Sequence, residues 1–191
     1  SHPTYTPAQV KSALMNTATH DVRTESGAAY AVDRVGAGRV DTLAAVQSKS
    51  LVYNADKSGT VSLSFGVLEY APDAGVQILT REVTVENTDS VAHTYALSYA
   101  ESTNIPGVEY SFPSAVTLAP GETKKFEVTV RIDPSKLEKT RDAAMDTTQN
   151  ATEYYTGTET VPAQYRQYIA SASGRLVLTE DGTKALRLPV H

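Results

Sequence analysis

Lys125-Phe126-Glu127-Val128-Thr129-Val130-Arg131-Ile132 alternates without a break between polar and apolar side chains. A period of two puts Phe126, Val128, Val130 and Ile132 on one side of an extended chain and the charged or hydroxylated residues on the other. The same residues wound into a helix would have no common apolar stripe. The grammar repeats on either side of this stretch. Leu79–Glu86 sets Val83 and Val85 against Thr84 and Glu86. Thr94–Tyr99 aligns Tyr95, Leu97 and Tyr99, Val108–Phe112 aligns Val108, Tyr110 and Phe112, and Val116 with Leu118 makes a short continuation. Thr60–Phe65 offers Val61, Leu63 and Phe65. Leu176 and Leu178 face Leu186, Leu188 and Val190 across Asp181-Gly182, a hairpin signal. About seven short strands with turn residues between them predict a mainly β chain, an antiparallel sandwich in which each sheet has one wet face.

The first fifty residues follow a different pattern, rich in alanine and poor in aromatics. Thr6 is placed as an N-cap, Pro7 suits the first helical position, and Gln9 stands where a capping box wants Glu or Gln. Val10, Ala13, Leu14, Thr17 and Ala18 then recur at helical spacing, with His20 and Asp21 near the stop. A second short helix is expected from Asp41 to about Val46, and Gly36-Ala37-Gly38 marks a tight backbone passage before it. Helices this short need a packing partner. The composition shift near Gln47–Leu51 divides the chain into a helical segment, 1–50, and a sandwich, 51–191. Residues 137–168 are too long for an ordinary connection and form an insertion.

The 191 residues carry 17 Lys plus Arg against 22 Asp plus Glu, a formal net charge of -5. A mildly acidic chain with no basic block repels a phosphate backbone, so nucleic acid is a poor partner. Cysteine is absent, which removes disulfides and thiolate chemistry. No apolar run is long enough to span a bilayer. If the protein is secreted, its leader has been removed or lies upstream.

The four histidines, His2, His20, His93 and His191, lack the spacing of metal ligands on a helix or hairpin. Asp56, Glu69 and Asp73 lack the dense carboxylate spacing of a calcium loop. No G-x-S-x-G turn is present, and Gly36-Ala37-Gly38 has no third glycine to make a dinucleotide site. Eleven tyrosines without a tryptophan raise the question of a flat binding surface. Tyr95, Tyr99 and Tyr110 fall on strands and read as structural, whereas Tyr154, Tyr155 and Tyr165 in the insertion are the candidate binding surface. Asn150-Ala151-Thr152 matches a glycosylation acceptor, relevant only to a eukaryotic secretory route.

His2-Pro3-Thr4-Tyr5-Thr6-Pro7, followed by a helix that closes on Leu14-Met15-Asn16-Thr17-Ala18, resembles the end of a subtilisin-like serine protease domain. Gly36-Ala37-Gly38-Arg39-Val40-Asp41, followed by Ala44 and Ala45, resembles that family's closing Gly-x-Gly-x-Val-Asp and short final helix. Large subtilases often continue into a fibronectin type III-like sandwich, and four further stretches resemble its strands and turns. They are Ser64-Phe65-Gly66, Arg81 to Thr88, Leu118 to Glu122 and Leu186 to Val190. The resemblance implies a short helical remnant of an α/β catalytic domain followed by a fibronectin type III-like sandwich, from an extracellular or cell-surface enzyme.

The family's His-Gly-Thr and Gly-Thr-Ser-Met-Ala motifs are missing from this chain, and its one Asp-x-Gly match, Asp73-Ala74-Gly75, follows the resembling helices instead of preceding them. No residue here inherits a catalytic role, so this chain is expected to be non-catalytic, while its parent is expected to be a serine endopeptidase. No cofactor is expected, apart from calcium in the catalytic part upstream. The expected partner is that catalytic part, docked on Val10, Ala13 and Leu14, with a protein or peptide substrate and an oligomer as further possibilities. The alternative is an extracellular binding module for a protein or cell-surface polymer.

Overall fold

The alternating segments pair into two antiparallel sheets. The computed structural model of the chain describes residues 2–19, 22–56, 58–145, 154–155, 160–161 and 170–191. Three helices come first: α1 (Pro7–Asn16), α2 (Val32–Val35) and α3 (Thr42–Gln47). The strands follow as β1 (Ser50–Asn54), β2 (Gln77–Asn87), β3 (His93–Thr103), β4 (Val108–Ser111), β5 (Ala115–Leu118) and β6 (Thr123–Ile132). After them come β7 (Tyr154–Tyr155), β8 (Thr160–Val161), β9 (Ser173–Thr179) and β10 (Leu186–Val190). One four-stranded sheet runs β1-β2-β6-β4 and the other β10-β9-β3-β5, with β7 and β8 forming a small separate ladder. The architecture is therefore mainly β, with eight strands in two sheets among the described residues.

The predicted alternation becomes the core. Val83, Val85, Val128, Val130 and Ile132 from the first sheet meet Tyr95, Leu97, Leu176, Leu178 and Leu188 from the second. Each Leu or Val taken fully from water contributes roughly 1.5–3 kcal/mol, so this interior dominates the stability. The hairpin pairs as expected, Leu178 with Leu186 and Leu176 with Leu188. Its connection runs over residues 180–185, longer than the two-residue turn that Asp181-Gly182 suggests. The extra length lets Glu180 turn back and accept the Thr94 N–H at 2.7 Å.

Two segments depart from the sequence reading. Thr60–Phe65 alternates and buries Val61, Leu63 and Phe65, but it joins no ladder. It crosses from one sheet to the other: Thr60 C=O accepts from Asn54 N–H, and Leu63 makes a parallel bridge to Val190. Alternation records burial, which this crossing segment shares with a strand. Conversely, β1 is a strand that alternation does not reveal, because both its faces are covered. Val52 enters the core, while Leu51 is buried beneath α1 with Ala13 and Ala45.

That covering defines the seam of the molecule. β1 and β10 are the edge strands on one side of the sandwich. Exposed edges invite pairing with other chains and are usually covered. Here α1 lies over them, and fully buried Asn16 fills the gap. Its amide donates to Val52 C=O at 2.9 Å and to Arg187 C=O at 3.0 Å, and its oxygen accepts from Val52 N–H at 2.8 Å. One side chain thus satisfies backbone groups from both sheets, as a short piece of strand would. Thr84 is also buried, so the first sheet's second face is only partly wet.

Candidate functional site

The motif-bearing helices are built as their residues dictate. Thr6 Oγ1 accepts from Gln9 N–H while Gln9 Oε1 accepts from Thr6 N–H, a complete capping box with Pro7 at the first turn. Asp41 lies just outside α3 as its N-cap and accepts from Ala44 N–H at 2.9 Å. Between the two helices, Thr19 and Arg39 form an antiparallel bridge. Gly36, at a φ of 58° and ψ of -135°, closes α2 in a conformation that side chains resist. Its carbonyl accepts from the Arg175 guanidinium at 3.0 Å. Arg175 is buried on β9, also donates to Ser102 Oγ at 3.1 Å, and burial lowers its pKa to about 10. The Gly-rich passage is therefore tied to the second sheet through Arg175.

The candidate docking face divides. Ala13 is buried in the cluster with Ala45 and Leu51, and Leu14 packs partly against it. Val10 remains 45% exposed. The larger exposed apolar side chains of this layer are Val40, Leu43 and Val46, of which Leu43 and Val46 share a face of α3. Their sequence signal is the i, i+3 spacing in a helix too short to reveal which side faces inward.

The candidate tyrosines are reached only in part. The backbones of Tyr154 and Tyr155 pair with Val161 and Thr160. Their side chains, all of Tyr165, and the acceptor at Asn150 lie outside the described residues, as do His20 and Asp21. The stems of the insertion meet where Ala170 N–H donates to Thr140 C=O at 2.7 Å, and buried Asp142 holds Arg34 of α2 at 3.1 Å. Beside these stems opens a mostly apolar groove of about 740 Å³, with Leu68, Tyr70, Ile132 and Leu137 among its walls. No periodicity marks it, since its lining comes from six separate parts of the chain, from Asp33 to His191.

The strand tyrosines are structural. Tyr95 is buried, and its hydroxyl donates to Ser50 Oγ at 3.0 Å. Tyr99 and Tyr110 have ring centroids 5.0 Å apart, and Tyr110 donates to Ala172 C=O at 2.8 Å. Burial pushes the Tyr110 hydroxyl pKa up to about 12 and raises that of Tyr99 further. Both stay neutral in any physiological solution.

His93 faces Glu180 at 2.5 Å through Nδ1 and Asp89 at 3.4 Å through Nε2. Both ring nitrogens are engaged by carboxylates, and Lys49 reaches Asp89 at 3.4 Å. His2 stacks on Tyr5 with centroids 4.2 Å apart and contacts Val46 C=O at 2.8 Å. Among the described residues no group of three His, Cys, Asp or Glu is arranged to hold a metal ion.

Hydrogen bonds to loop carboxylates set an acid limit. The Ser58 hydroxyl holds Asp56 below its ordinary value, the Ser90 N–H does so for Asp89, the Ala119 N–H for Glu122, and the Ser135 hydroxyl for Asp133. A carboxylate depressed in the folded state stabilises it above the unfolded value and loses that contribution as pH falls through the folded one. The urea midpoint is expected to hold from neutrality down to about pH 5 and to fall below about pH 4. A midpoint that rises on acidification through that range would contradict the assignment.

No family model matches the chain, and no curated protein matches it. Among solved structures, a FixG-related protein from Vibrio parahaemolyticus is similar over 60% of this chain and 90% of its own, at 14% identity and a TM-score of 0.33. A superposition that loose carries no argument about function.

Proposed function

We propose that this chain is the non-catalytic C-terminal part of a secreted subtilisin-like serine endopeptidase, whose sandwich braces the helices that close the catalytic domain. The observation that carries this reading is the anchoring of both motif segments on the sandwich. Leu14-Met15-Asn16-Thr17-Ala18 is keyed through Asn16 into β1 and β10, and Gly36 is held by Arg175 of β9. Such fixed joints are what a brace needs, since segments joined without them move relative to one another by default. Val10, Val40, Leu43 and Val46 supply apolar surface for the upstream part. The whole enzyme would cleave peptide bonds by acyl transfer through serine, with histidine as base and aspartate orienting it. Every one of those groups would come from upstream of Ser1.

A serine-directed phosphonate separates this reading from that of a self-sufficient hydrolase. The 191-residue chain is expected to stay unlabelled, while the parent protein takes the label on a serine upstream of Ser1. Labelling within residues 1–191 would overturn the proposal.

A further inference from the structure

Beneath the N-terminal half of α1, a pocket of about 430 Å³ opens on the outer face of the first sheet. Glu86, Tyr53, Gln9, Thr84 and Lys125 are among its walls, with Ala8 and Ala55 adding apolar surface. Glu86 is the chemically distinctive member. Gln9 Nε2 donates to its Oε1 at 2.9 Å, and the Tyr53 hydroxyl donates to its Oε2 at 3.2 Å. Both partners are neutral. Burial and the Glu86 charge raise the Tyr53 hydroxyl above its ordinary value, so it remains a donor. A carboxylate offers about four lone-pair sites, and these two bonds use two. The lysine that shares the pocket, Lys125, is turned to Glu82 at 3.1 Å, and Lys11 is spent on Gly59 C=O at 3.0 Å. The carboxylate is thus oriented by two fixed donors and still has one acceptor site on each oxygen.

We propose that this pocket is a subsite for an arginine side chain from a partner polypeptide. A guanidinium presents two parallel N–H donors to the two oxygens, the Tyr53 ring offers an apolar wall for its flat face, and the alkyl stem covers Ala8 and Ala55. The volume of about 430 Å³ is ample for one such side chain. Arginine suits it better than lysine, whose ammonium is a point charge that cannot engage both oxygens in the same plane.

The test is a nuclear magnetic resonance titration of the full chain with N-acetyl-arginine methylamide, and with its norleucine counterpart as an uncharged match. The arginine probe is expected to shift the Gln9 side-chain and Tyr53 signals saturably, with a dissociation constant in the millimolar range. Glu86→Gln keeps the shape and the Tyr53 contact, and it is expected to weaken binding at least about tenfold. Lys125→Met, which removes a like charge from the pocket wall at an exposed position, is expected to preserve or tighten it. Equal binding of the norleucine probe, unchanged binding in Glu86→Gln, loss of binding in Lys125→Met, or no saturable shift would each overturn the proposal. If Glu86→Gln does not fold, the Lys125→Met and norleucine results still decide it.

Discussion

Asn16→Ala is expected to lower the stability of the chain by about 3–5 kcal/mol. The side chain is small, so lost apolar burial is a minor part of that figure. The cost comes from three backbone groups that lose their partner together: the N–H and C=O of Val52 and the C=O of Arg187. A buried polar group left unsatisfied costs about 1–3 kcal/mol, and Asn16 is fully buried. Alanine is an excellent helix former, so a loss of this size could not be assigned to α1 itself. Urea unfolding of the two proteins side by side measures it. A change below about 1 kcal/mol would mean that the edges of β1 and β10 find other partners, and that Asn16 does not key the seam.

Gly174→Val is expected to cost about 3 kcal/mol or to prevent folding. Gly174 lies on β9 opposite Glu101, and a Cβ there would stand 2.5 Å from Ala100 C=O and 2.6 Å from the Tyr99 ring. Neither neighbour has room to give. The carbonyl is strand backbone, and the Tyr99 ring is packed against Tyr110. The glycine is therefore required by close approach, with no demand for an unusual dihedral. The variant's melting temperature, read with the Tyr99→Ala background, checks the cause. The same substitution should be milder once the ring is gone, and an equally large penalty in both backgrounds would place the strain on the Ala100 carbonyl alone.

Much of this fold is legible in the residues. The alternation of Lys125–Ile132 returns as β6, and the capping residues Thr6 and Gln9 start α1 where they stand. The reason is the same in both cases: the signal is local and needs no knowledge of the neighbours. What escapes the sequence depends on neighbours. Ser50–Asn54 does not alternate because a helix from the first fifty residues covers its second face. Thr60–Phe65 alternates because it is buried on one side, but its partners come from Asn54 and from the chain's last residues. Asn16 and Arg175 are polar in the sequence and buried in the fold, and only the third dimension brings their carbonyl partners to them. The docking face shows the same limit. Val10, Ala13 and Leu14 share a stripe, yet the sandwich takes Ala13 and leaves Val10 outside.

The measurement that bears most directly on the functional reading is the coding sequence upstream of Ser1. The account predicts a Gly-Thr-Ser-Met-Ala motif within a few tens of residues of Ser1, with Asp-x-Gly and His-Gly-Thr motifs further upstream. An unrelated domain joined there, or a start codon with no such motifs before it, would contradict the account and leave the seam at Asn16 as the joint of a self-contained sandwich.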